Sequence, residues 1–298
     1  MIVGAPLNVI LIDDADDPRL ACFRRNERGL ASRRQRRSDD GDGMFMAEGD
    51  LVVERALDAG CKPVVVLVDG AKPPPVARRF PGDVPIYAGG DQIRALVTQL
   101  GVPQGIVALF ARPARPTAAQ LALRSTRLIV VEAVDNPINV GSIVRNAVAL
   151  GWDGMIFDST SADPLSRRSL RVSMGHAIDF PAARSARLPD ELRHLAGEGF
   201  AICALTPAAD ADDIATIPIR QKMAIVVGSE RAGLSTETLA AATHRARIPM
   251  AHGIDSLNAA AATAVACYAL RRNQLRRWAG DEIGSPVSLR NCSEAGTK

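Results

Sequence analysis

Three short stretches combine backbone freedom with side chains able to hold or polarise a ligand: Asn136-Pro-Ile-Asn-Val-Gly-Ser-Ile-Val-Arg-Asn-Ala147, Val227-Gly-Ser-Glu-Arg-Ala-Gly-Leu234 and Ile248-Pro-Met-Ala-His-Gly-Ile-Asp-Ser-Leu-Asn258. Each sets Gly or Pro beside Asn, Ser, Arg or Glu at the edge of an apolar run, where binding and catalytic loops concentrate. In the first, Asn139 and Arg145 flank a turn expected at Gly141. A helix starting near Ser142 would aim its free N–H groups and positive end at an anion, with Arg145 reaching the same spot. The competing structural role makes Asn139 a helix cap and pairs Arg145 with a surface carboxylate.

The second stretch follows an apolar strand expected over 223–227. It lacks the GKS/T ending of a Walker loop and the GxGxxG spacing of a dinucleotide loop, which disfavours nucleotide hydrolysis there. Gly228 would let a planar ligand approach the backbone, with Glu230 as an acceptor beside it. An ordinary β–α turn, with Glu230 near a helix N-terminus, is the structural alternative. In the third stretch Ser256 is the expected cap of an Ala-rich helix over 256–272. Asn258 then falls in the first turn, where alanine would serve a merely structural helix better.

Other chemistries find no support. His176, His194, His244 and His252 form no HExxH spacing, and there is no GxSxG elbow. His252 lies in a motif loop and reads as a rim residue. The five cysteines are scattered, without a CxxC pair, so neither a disulfide framework nor a metal site is expected.

The elements that must position these loops alternate. Before residue 111, strands are expected at 9–12, 63–69 and 105–110, with helices near 51–57 and 92–100. Ala111-Arg-Pro-Ala-Arg-Pro-Thr117 reads as an extended, poorly packing linker, and Lys72-Pro-Pro-Pro75 as a surface connection. Beyond it, strands at 128–132, 154–157, 200–205 and 223–227 alternate with helices at 142–150 and 166–173, which implies an α/β fold with a mostly parallel sheet. The expected division is 1–115, 126–278 and a polar tail over 279–298.

At 298 residues, 47% hydrophobic and 23% charged, the chain can bury a sizeable core. No apolar run approaches the roughly 20 residues that span a bilayer. The first residues lack a charged leader, so a cytoplasmic protein without a membrane partner is expected. Net charge is only +3, but arginines cluster: Arg24, Arg25, Arg28, Arg33, Arg34, Arg36 and Arg37, then Arg167, Arg168 and Arg171, then Arg271, Arg272, Arg276 and Arg277. Guanidinium forks match phosphates, so these clusters are candidates for tracking an RNA backbone; a solvated helix face is the plainer alternative.

In order and spacing the three stretches resemble the motifs of the SpoU (TrmH-like) RNA ribose 2′-O-methyltransferases of the SPOUT class: NxGxxxRNA, GSExxGL and IPMxxxxxSLN occur together over about residues 126–275. Asp163-Pro164 and Ser173-Met174-Gly175 fit as well. The front half is similar to an L30e-like substrate-binding domain, through Ala47–Glu54 and Pro103–Ala108. The resemblance implies a deep C-terminal trefoil knot, S-adenosylmethionine as cofactor, RNA as substrate (ribosomal RNA before tRNA) and a homodimer. It implies a cofactor pocket around Leu205, Thr206, Gly228, Ile248, Met250 and Leu257. Arg145, Asn139, Glu230, Ser256 and Asn258 match the catalytic and RNA-positioning residues, Glu230 being expected to orient Arg145 or the cofactor. Arg24, Arg25, Arg33, Arg34, Arg36, Arg37, Arg167 and Arg168 are the candidate RNA contacts. The chain departs from common relatives at His252, Asp255 and the Ala259–Ala262 run. A non-catalytic RNA-binding protein on the same fold is the rival reading.

Overall fold

The computed structural model describes residues 8–37, 40–99, 102–251 and 256–271. Two sheets organise them. The first holds β1 (Ile10–Leu11), β2 (Met44–Glu48), β3 (Pro63–Asp69), β4 (Ile86–Gly89) and β5 (Ile106–Ala111), in the order β1-β4-β3-β5-β2. β1, β4 and β3 run parallel, while β5 opposes both its neighbours. The second holds β6 (Arg127–Val131), β7 (Gly154–Phe157), β8 (Ala182–Arg184), β9 (Phe200–Leu205), β10 (Asp212–Asp213), β11 (Lys222–Val227) and β12 (His244–Arg247). Its order is β10-β12-β9-β11-β6-β7-β8, and every pairing is parallel. The apolar runs at 127–131, 154–157 and 200–205 form strands because a parallel sheet covered on both faces suits uninterrupted Val, Ile and Leu.

Ten helices are described: α1 (Glu27–Leu30), α2 (Arg33–Arg37), α3 (Asp50–Asp58), α4 (Asp91–Thr98), α5 (Ala118–Arg124), α6 (Pro137–Ala149), α7 (Arg167–Val172), α8 (Leu188–Gly197), α9 (Thr236–Ala241) and α10 (Ala259–Ala269). The arginine-rich segment forms two short helices, α1 and α2. Pro75 opens a 3-10 turn, Pro75–Arg79, rather than closing an extended connection. The largest departure is α6. It starts at Pro137 with Asn136 as cap, five residues before the expected Ser142. Proline at the first helical position, after an Asn cap, is a favoured start; Gly141 lies inside the helix, not at a turn.

Nor is the stretch 111–117 a loose tether. Arg112 and Arg115 both reach Asp163, at 2.8 and 3.1 Å, with all three side chains nearly out of solvent. Burial by itself would raise the Asp163 pKa, but the two guanidinium charges prevail and hold it at about 2. Glu48 of β2 similarly pairs with Arg167 and Arg171 of α7. One buried apolar cluster runs through both parts, from Val53, Ala56 and Phe110 to Ile129, Ile143, Phe157 and Ile178. The two sheets are thus docked through a shared core and buried charge pairs. No described helix is long and apolar enough to cross a membrane.

Candidate functional site

In the second sheet β7 and β8 lie on one side of β6 and β9 to β12 lie on the other, so strand order reverses beside it. Crevices at the carboxyl ends of strands around such a reversal are the usual ligand sites of open parallel sheets. The predicted segments arrive there together. The first motif leaves β6, the second leaves β11, the third leaves β12, and Leu205-Thr206 ends β9; these four strands are neighbours.

Between them lies a cleft of about 390 Å³, lined by Leu205, Thr206, Gly228, Ile248, Met250 and Leu257, all six of the expected cofactor residues. Glu230 and Ser256 lie on its rim, and Arg231, which sequence reasoning did not single out, lies beside Glu230. The wall is mostly apolar with a few polar groups, as suits a small organic ligand. A larger hollow of about 640 Å³ beneath the 113–116 segment contains no residue of the three motif stretches.

Gly228, which lines the cleft, also has a structural job. A Cβ there would sit 2.3 Å from the Gly233 carbonyl carbon and 2.6 Å from the Leu234 nitrogen, so the loop's own return requires glycine. The return is tied by Gly233 N–H donating to the Ser229 carbonyl at 3.0 Å. Glu132, at the end of β6, clamps the far side by accepting from Ser235 N–H and Oγ and from Thr238 Oγ1 at 2.8–2.9 Å.

Glu230 is turned toward two amides. Its Oε1 accepts from Asn139 Nδ2 at 2.9 Å and from Asn258 Nδ2 at 2.6 Å, while Asn258 Nδ2 also approaches Asn139 Oδ1 at 3.1 Å. One residue from each motif therefore meets in a single triangle. Asn258, not Ser256, caps α10, with Oδ1 accepting from the N–H groups of Ala260 and Ala261. Asn146, to which sequence reasoning gave no role, donates to the Ala260 carbonyl at 3.0 Å and fixes α10 on α6. At Gly141 a Cβ would lie 2.5 Å from the Ser169 carbonyl oxygen, so glycine lets α6 and α7 touch backbone to backbone.

Arg145 stands apart from this triangle. It is exposed and has no hydrogen-bond or ion-pair partner among the described residues. Neither the expected contact with Glu230 nor the alternative surface pair forms. The candidate RNA contacts divide. Arg25, Arg33, Arg34 and Arg168 are exposed. Arg36 is occupied by the Glu27 and Ala31 carbonyls, Arg167 by Glu48 and the Thr98 carbonyl, and Arg24 faces Asp16 at 3.4 Å. Arg37 belongs to α2. His252 and Asp255 lie outside the described residues, as do Arg272 and the tail.

The model of the SpoU rRNA Methylase family matches residues 126–268. An uncharacterised tRNA/rRNA methyltransferase of Mycobacterium tuberculosis is 37% identical over 274 residues, covering 90% of this chain and 93% of the relative. The chain belongs to the SpoU methylase family. A second relative, the 23S rRNA (guanosine(2553)-2'-O)-methyltransferase RlmP of Bacillus subtilis, is 27% identical over 76% of this chain and 88% of its own. Among solved structures, an AdoMet-bound rRNA methyltransferase from Sinorhizobium meliloti superposes with a TM-score of 0.74, at 26% identity, over 88% of this chain and 97% of that one. As a SpoU methylase the protein is an RNA methyltransferase, and its motif triangle and cleft occupy the end of the sheet described above.

Proposed function

We propose that the protein methylates a ribose 2′-hydroxyl of ribosomal RNA using S-adenosylmethionine, as a cytoplasmic homodimer with the knotted SPOUT fold. The observation that carries this reading is that the second and third motifs line one cleft at adjacent strand ends and the first motif is joined to both through Asn139. S-adenosylmethionine fits the donor set: apolar Leu205, Ile248, Met250 and Leu257 suit a flat base, and the folded 228–234 loop offers backbone polar groups. When bound, it supplies an electrophilic methyl group and makes a metal or a covalent enzyme intermediate unnecessary.

The side chains do the rest. Arg145 stabilises negative charge developing on the ribose oxygen and grips a neighbouring phosphate. A guanidinium with a pKa above about 12 is a poor proton acceptor, so that proton leaves to phosphate or water. Asn139, Glu230 and Asn258 hold the three loops in register, and Ser256 faces the ligand from the rim.

Arg145 sits outside the triangle on its own chain, which supports a site completed across two copies. The exposed apolar side chains of Ile138, Leu257, Val265 and Tyr268, on and beside α6 and α10, support the same pairing. The division into an L30e-like unit over 1–115 and a methyltransferase unit over 126–278 belongs to this reading, supported by the two separate sheets. Ribosomal RNA is preferred over tRNA because of that front unit and because the Bacillus subtilis relative is named for 23S rRNA.

The test is transfer of labelled methyl from S-adenosylmethionine to unmodified ribosomal RNA and bulk tRNA, comparing wild type with Arg145→Ala. Transfer to ribosomal RNA alone, lost in the variant, is expected. Transfer to tRNA alone would move the substrate, and cofactor binding without any transfer would favour a non-catalytic RNA-binding role.

A further inference from the structure

Where α3 of the first sheet's unit meets the turn after α7, two basic side chains touch. Arg55 Nη1 lies 3.1 Å from His176 Nδ1, and the Arg55 stem rests against Gly175. Arg145, on α6, adds a further positive charge that acts on the same imidazole. Neither arginine is matched by a carboxylate. No ion pair is formed by Arg55 or Arg145 among the described residues, and the buried Arg55 Nε has no hydrogen-bond partner. Among the described residues the acidic group that acts on His176 is the exposed Asp179. The contrast with Arg112, Arg115 and Arg167, each answered by a buried carboxylate, is sharp.

We propose that Arg55, His176 and Arg145 form a phosphate-binding notch that seats the RNA backbone beside the ribose to be methylated. This rests on the RNA methyltransferase reading and adds to it a positioning residue, Arg55, from the other unit. Two guanidiniums and a neutral imidazole offer N–H donors throughout and no acceptor beyond a single ring nitrogen. In the free protein burial, then Arg55, then Arg145 push the His176 pKa down, with Asp179 opposing, so the ring is neutral and accepts from Arg55. An arriving phosphate reverses the local charge, favours imidazolium and turns the ring nitrogen into a further donor. RNA binding therefore takes up a proton at this site.

The experiment uses full-length protein and a fluorescent single-stranded oligoribonucleotide, with affinity measured across salt concentration at pH 8 and pH 6. Arg55→Gln is expected to reduce the slope of log affinity against log salt by about 0.7, the value of one single-strand phosphate contact. Arg55→Lys should restore the slope. Wild type should bind more tightly at pH 6 than at pH 8, and His176→Asn should abolish that difference. S-adenosylmethionine affinity, measured by calorimetry, reports that each variant is folded and should not change. An unchanged slope in Arg55→Gln, or an unchanged pH response in His176→Asn, overturns the notch while leaving the methyltransferase reading intact. Wild type that binds the probe without salt dependence overturns the notch and the RNA reading together.

Discussion

The junction between the two sheets and the mouth at the carboxyl ends of the second sheet both depend on polar side chains, yet they settle their charges in opposite ways. At the junction, Asp163 is gripped by Arg112 and Arg115, and Glu48 by Arg167 and Arg171. Each buried carboxylate is fully answered from within the protein. At the mouth, Glu230 is met by the neutral amides of Asn139 and Asn258, and Arg145 is left exposed without a partner. Charges consumed internally hold a fold together, whereas those left over are free to meet a ligand. Sequence clustering does not separate the two kinds: Arg167 and Arg168 are neighbours, and the first is occupied while the second is exposed.

Substitutions at the two places should separate stability from activity. Removing one partner of a buried pair strands the others, so Asp163→Ala should cost about 3–5 kcal/mol in a denaturant titration. A loss under about 1 kcal/mol would mean that the junction is not held by charge. Arg145→Ala should do the reverse, lowering methyl transfer about 100- to 1000-fold, the scale for a lost charge-stabilising donor. Its unfolding midpoint should stay within about 0.5 kcal/mol of wild type, as for exposed sites.

Acid should find the junction first. The Asp163 carboxyl titrates at about 2 in the folded chain against 3.8 unperturbed, so its contribution is fully present above about pH 5. It is lost as pH falls from about 4 toward 2, and amounts to roughly 2 kcal/mol. Thermal unfolding of wild type should show this loss between pH 5 and pH 2.5, and Asp163→Asn should flatten it. A smaller loss of stability than at Asp163 is expected for Asn258→Ala, about 1 kcal/mol for a lost cap. Methyl transfer by that variant should nevertheless fall more than tenfold, because the triangle opens. Activity that tracks only the stability loss would reduce Asn258 to a cap.

Much of the site was legible because loops that bind ligands carry residue types a mere connection does not need. All six expected cofactor residues line one cleft, and Asn139 touches Glu230 and Asn258 although 91 and 119 residues separate it from them. The strands at 63–69, 154–157 and 200–205 were legible as apolar runs bounded by polar residues. The start of α6 was misplaced because Gly141 reads as a turn, when its small size serves contact with α7 instead. β12, His-Arg-Ala-Arg, is polar at three of four positions and gives no apolar run to see. The junction pairs were illegible for a different reason. Glu48 and Arg167 lie 119 residues apart, and nothing in either neighbourhood specifies the other.

The Asn258 side chain faces two ways: its oxygen holds the start of α10 and its nitrogen holds Glu230 and Asn139. Deamidation, a route by which asparagines are lost on prolonged heating, would spare the first role and reverse the second. The aspartate formed would still cap the helix, but it would place a carboxylate against Glu230 where a donor had been. Protein aged in this way would keep its unfolding curve and lose its turnover, so a stored sample could pass every test of folding and fail the only one that matters to RNA.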